Sequence, residues 1–97
     1  MALMPTAFVN QQEIKSAIQH AKYMFREEID HINYNLGENW AGDPSIFFRI
    51  VMRDEAFQND HLAKLTFRIS KALMKEAKTG ECGLIPYFDF RSVSEQA

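Results

Sequence analysis

Residues 46–53 read Ile46-Phe47-Phe48-Arg49-Ile50-Val51-Met52-Arg53. β-Branched and aromatic residues dominate the run, and such side chains suit a pleated strand. Side chains alternate between the faces of a strand, so Ile46, Phe48, Ile50 and Met52 share one side. Phe47, Arg49, Val51 and Arg53 share the other. One side is wholly apolar and the other carries two arginines, which predicts a strand buried on one face only. A sheet of such strands needs helices over its apolar side.

Upstream, Gly37-Glu38-Asn39-Trp40-Ala41-Gly42-Asp43-Pro44-Ser45 is predicted as a loop from its two glycines and its Asp-Pro pair. Before it, Ile32, Tyr34 and Leu36 alternate with His31, Asn33 and Asn35, giving a first strand that pairs with the second as an antiparallel hairpin. Further back, Ile14, Ala17, Ile18, Ala21, Met24 and Phe25 recur at three- and four-residue spacing. A helix is predicted there, running to about Glu28. Asn10 and Glu13 form its capping box, and Val9 with Ile14 its hydrophobic staple.

Downstream, Asp54 to Asp60 is a polar connection, with Asn59 or Asp60 as the next helix cap. Leu62, Leu65, Ile69, Ala72, Leu73 and Ala77 mark the buried stripe of a second helix, and Gly80 suits the position past its end. Leu84-Ile85-Pro86-Tyr87-Phe88-Asp89-Phe90-Arg91 reads as a third strand, and Pro86, with no N–H to donate, favours an edge or the strand's beginning. The expected fold is a single α+β domain over residues 1–97, a two-layer sandwich of order α-β-β-α-β. Both helices lie on one face of a three-stranded sheet. Residues 1–9 form an N-terminal arm and 92–97 a flexible polar tail that frays.

Composition fits that domain. The chain has 97 residues, 46% apolar and 25% charged, enough for one core without a metal or disulfide. Eight phenylalanines supply much of the core. The net charge of −2 gives no global pull toward nucleic acid or an anionic membrane. The N-terminus lacks the features of a signal peptide, and no stretch nears the roughly 20 apolar residues of a membrane span. A cytoplasmic location is the default expectation.

No catalytic or cofactor motif is recognisable. His20, His31 and His61 lack a partner at the spacing of a helical metal pair, so neither metal nor cofactor is expected. Cys82, the single cysteine, sits beside Glu81 and reads as a small apolar turn residue. Glu27, Glu28 and Asp30 read as a solvated helix end. Two features point to binding instead. The sheet face away from the helices should carry Phe47, Arg49, Val51, Arg53, Tyr87, Asp89 and Arg91, with His31, Asn33 and Asn35 beside them. Of these, Phe47, Arg49, Arg53, Tyr87 and Arg91 form the candidate interaction face for a protein partner or a second copy. In the competing reading Asp89 pairs with an arginine and the aromatics shield the backbone. The second feature is a basic stripe along the second helix, Lys64, Arg68, Lys71, Lys75 and Lys78. It is first read as a solvated helix side, and second as a track for a phosphate backbone. Trp40 is expected to fold back over the end of the core, the alternative being that it projects as an anchor for a partner.

Two segments, Gly37-Glu38-Asn39-Trp40-Ala41-Gly42-Asp43-Pro44-Ser45-Ile46-Phe47-Phe48-Arg49 and Tyr87-Phe88-Asp89-Phe90-Arg91-Ser92-Val93-Ser94-Glu95, together resemble a family of small bacterial proteins about one domain long. The resemblance covers roughly the last two-thirds of the chain. It implies a bacterial origin and brings no activity, since none is assigned to that family. The element order is also similar to the type II KH fold of the ribosome-binding factor A family, a likeness that implies RNA binding. The KH GxxG loop joins two helices, whereas Gly80-Glu81-Cys82-Gly83 joins a helix to a strand and carries a negative charge. The functional expectation is a non-enzymatic protein-interaction domain, with a KH-like RNA-binding module as the alternative.

Overall fold

The computed structural model describes residues 11–96. The Asn10 cap, the Val9 staple and the N-terminal arm lie outside the described residues. The architecture is α+β, with the two long helices and three strands in the expected order α-β-β-α-β.

Helix α1 spans Gln11–Met24 and buries Ile14, Ala17, Ile18 and Ala21. It ends earlier than Glu28. The amides of Glu28 and Ile29 both bond the Phe25 carbonyl, at 2.9 and 2.8 Å, and turn the chain into the sheet. Phe25 is buried as expected, but Met24 is exposed. At 100° per residue Met24 stands roughly 80° from the middle of the buried stripe.

Strand β1 (Ile29–Glu38) pairs antiparallel with β2 (Pro44–Met52). It starts before His31 because the register shifts between Ile29 and His31, a bulge that lets both Ile29 and Ile32 face the core. The ladder runs to Glu38 opposite Pro44, so the loop is shorter than predicted. Asn39 makes that possible. Its Oδ1 accepts the amides of Ala41 and Asp43, each at 2.9 Å, and Gly42 takes the positive φ (85°) of the turn.

After β2 comes a short helix, α2 (Asp54–Phe57), and then α3 (Leu62–Ala77). Asn59 shapes the entry to α3, accepting the His61 amide at 2.7 Å, yet His61 occupies the cap position without a side-chain cap bond. The exit also differs from expectation. Lys78, not Gly80, adopts the left-handed conformation (φ 54°) and donates its amide to the Met74 carbonyl. Strand β3 (Ile85–Ser92) lies beside β2 and parallel to it, so the sheet is mixed, in the order β1-β2-β3.

The core lies between the helices and one sheet face. Ile14, Ile18 and Phe25 from the α1 side and Ile69, Leu73 and Ala77 from α3 meet Ile46, Phe48, Ile50 and Met52. Phe48 stacks on Phe88 of β3, with ring centroids 5.3 Å apart. Cys82 and Leu84 join this core from the α3–β3 connection.

The segment expected to fray from Ser92 is instead helix α4 (Val93–Gln96). Ser92 and Glu95 form a capping box. The Ser92 amide donates to Glu95 Oε1 at 3.0 Å, and the Glu95 amide donates to Ser92 Oγ at 3.2 Å. Asp54 then ties α4 to α2, accepting the Ser94 amide at 3.1 Å and its hydroxyl at 2.5 Å. These two bonds favour the ionised carboxylate and hold the Asp54 pKa below its ordinary value.

Candidate functional site

The sheet register sets the outer face in rows. Asn35, Phe47 and Tyr87 stand side by side; next come Asn33, Arg49 and Asp89, then His31, Val51 and Arg91. Four of the five candidate face residues, Phe47, Arg49, Tyr87 and Arg91, therefore come together. Arg53 does not join them. It follows the end of β2, where its guanidinium reaches the Arg26 carbonyl at 3.4 Å and Asp30 at 4.0 Å.

The face divides into two ends. At the charged end Asp89 lies between Arg49 and Arg91, each Nε 3.2 Å from a carboxylate oxygen. One carboxylate shared by two guanidiniums offsets half of the positive charge there. Val51, expected to be outward and exposed, is fully buried, and α4 packs against β2 and β3 at this end. At the other end Phe47 and Tyr87 stack with centroids 5.3 Å apart and planes 13° from parallel. Tyr87 remains 38% exposed. Asn39 Nδ2 donates to the Tyr87 hydroxyl at 3.1 Å, which links this stack to the hairpin turn.

Trp40 sits on that turn and is 95% exposed. It does not fold back over the core. The inner face already closes with Phe48, Ile46 and the partly buried Tyr34 and Leu36, so no space at the core's end needs an indole. The five side-chain and backbone bonds around Asn39 order the turn beneath it.

The basic stripe is exposed at all five positions, but it is not one uninterrupted row. Arg68 lies over the Phe25 ring at 5.6 Å, and Lys78 sits beyond the helix end, 3.9 Å from Glu13. Lys71 lies over Phe67 at 5.3 Å. Among the described residues no carboxylate pairs with Lys64, Lys71 or Lys75. Phe67 and Met74, which belong to neither the expected buried stripe nor the basic one, are exposed on the same side of α3. Their signal was present as a 4-3-4 spacing through Ala63, Phe67, Ser70 and Met74.

The histidines are separated. His20 bonds Glu76 and joins α1 to α3, while His31 lies 2.8 Å from Asp30. Among the described residues no group of three His, Cys, Asp or Glu side chains could hold a metal ion, and no helix is long and apolar enough to cross a membrane. A shallow depression of about 330 Å³ mixes both charge signs, Glu27, Glu28 and Glu55 against Lys64 and Arg68, with His61 beside them.

Fold and site together define a small two-layer α+β domain whose sheet is covered by helices on one face and, on the other, is open over the Phe47 and Arg49 rows but closed at Val51. Comparison with protein-family models, with curated proteins and with solved structures finds no significant match.

Proposed function

We propose that this chain is a protein-interaction domain that performs no chemistry of its own and binds through the aromatic end of its open sheet face. One observation carries the reading: Trp40 is held almost wholly in solvent on an ordered turn, next to the Phe47–Tyr87 stack. Tryptophan and tyrosine are the residue types that most often dominate binding energy when an interface desolvates them. Each aromatic can bury about 150–250 Å². Trp40 has nearly all of that area left to bury, and Tyr87 and Phe47 a smaller share, toward the roughly 800 Å² that one side of a standard interface covers. The Arg49–Asp89–Arg91 cluster supplies the polar border.

The occupant is a protein surface, including a second copy of this chain. Sedimentation of the wild type at high concentration and capture of partners from lysate test the two versions. Trp40→Ser should abolish either association while leaving the unfolding free energy within about 0.5 kcal/mol of wild type, as for other exposed positions. A Trp40→Ser chain that associates as wild type does would remove the support for this surface. RNA binding along α3 is the second reading, supported by the exposed Lys64, Lys71 and Lys75.

A further inference from the structure

The outward side of α3 is itself divided lengthwise. With 100° between successive residues, Ala63, Phe67, Ser70 and Met74 fall on one strip, and Lys64, Arg68, Lys71 and Lys75 fall on the strip beside it. Phe67 is 63% exposed and Met74 42%. The spacing 63, 67, 70, 74 is that of the a and d positions of a helical heptad, which puts Lys64 and Lys71 at the flanking e positions. A shallow groove of about 300 Å³ continues the strip past Met74 to Thr79 and Gly80.

We infer that this side of α3 is a docking seam for an acidic amphipathic helix of a partner protein. Apolar residues of the partner would cover Phe67 and Met74, and its glutamates or aspartates would face Lys64 and Lys71. Charge segregation supports that chemistry: the chain is net −2, yet α3 with its capping residue carries five cations and one acid. That acid, Glu76, is turned aside to His20.

Three other occupants fit less well. A second copy of α3 laid antiparallel would set e-position lysines against e-position lysines. An RNA strand would engage the cations and leave the Phe67–Met74 strip largely uncovered. A helix lying in a membrane surface carries cations along its polar face, whereas the far flank of this strip holds Thr66 and then turns into the buried Leu73 and Ala77. This seam is separate from the sheet face, so the two proposals stand or fall independently.

The test uses fluorescence anisotropy with a labelled three-heptad peptide, leucine at a and d and glutamate at e and g. A control peptide carries lysine in place of each glutamate. Single-stranded oligouridylate and phosphatidylserine-containing vesicles are the competing probes. Wild type should bind the acidic peptide saturably and ignore the basic one. Phe67→Ser, and separately Lys64→Glu with Lys71→Glu, should each weaken binding about tenfold or more. All three positions are exposed, so circular dichroism and the denaturation midpoint should stay as in wild type. Trp40→Ser should bind the peptide normally. Failure to bind the acidic peptide, equal binding of both peptides, or indifference to Phe67→Ser overturns the inference. Retention of RNA or vesicles without the acidic peptide assigns the seam to another occupant and overturns it equally.

Discussion

Phe48→Ala tests the register on which both surfaces depend. The ring is 1% exposed, stacks on Phe88, and sits in the covered layer between Ile46 and Ile50. Removing a buried phenylalanine side chain costs about 3–5 kcal/mol, part from lost transfer and part from the cavity left behind. A chain of this length has a total stability on the order of 5–15 kcal/mol, so the variant should lose a large fraction of it. With a urea dependence of about 1.5 kcal/mol per molar for a small domain, the midpoint should fall by roughly 2–3 M. The control is Phe47→Ala, one residue away and on the other side of the strand. Phe47 is half-buried and loses mainly its stack with Tyr87, so its cost should be about 1–2 kcal/mol. A slip of one residue would exchange the two rings. Equal costs, or a larger cost for Phe47→Ala, would refute the register and with it the composition of the outer face. A double-mutant cycle with Phe88→Ala should further return a coupling of about 0.5–1.5 kcal/mol between the stacked rings.

Two other outcomes follow from backbone and charge. Lys78→Gly should stabilise the fold by about 1 kcal/mol, because a non-glycine residue in the left-handed region carries a penalty of about that size. Its ion pair with Glu13 is exposed and contributes little, so an unchanged or lower melting temperature counts against the strain. For Asp54, the folded pKa is depressed below 3.8 by the Ser94 hydroxyl and amide. Its contribution is therefore fully present above the unfolded value and is lost as pH falls through the folded one. Ser94→Ala should move the Asp54 titration, followed by NMR, back toward 3.8 and reduce the acid-side loss of stability; a titration that does not move would show that Ser94 is not the cause.

Periodicity made most of the fold legible. The switch from helical spacing in residues 14–25 to alternation after Ile32 located α1, β1 and β2, and the two faces of β2 separated Phe48 from Phe47. Local signals misled where longer-range geometry decided. Gly80 suited the end of α3, but the helix stops two residues earlier, at Ala77, and Lys78 takes the strained conformation. Trp40 looked too apolar to expose, yet the core closes without it. The parallel pairing of β3 was not readable, because alternation shows which face is buried and says nothing of which neighbour a strand takes. Ser92-Val93-Ser94-Glu95 did carry a legible capping box, and the polar composition around it concealed the signal. The same limit applied to the site. Arg49, Arg91 and Asp89 were named together, but only the register shows one carboxylate placed between two guanidiniums.

That placement separates the two proposed surfaces by a property measurable before any partner is known. On the sheet face Asp89 lies between the guanidiniums and offsets one of their two charges, so association there rests chiefly on desolvating Trp40, Phe47 and Tyr87. Apolar burial is weakened little by simple salt. On α3, Lys64, Lys71 and Lys75 have no carboxylate partner among the described residues, and attraction to an acidic helix acts through solvent. At 0.1 M ionic strength such attraction is screened over about 10 Å, and at 1 M over about 3 Å. Raising salt from one to the other should therefore leave association at the sheet face nearly unchanged and sharply weaken peptide binding at α3. The reverse pattern, measured by sedimentation and anisotropy on the same preparation, would mean that the charges of Arg49 and Arg91 drive binding at the sheet, and that Phe67 and Met74 alone account for binding at α3.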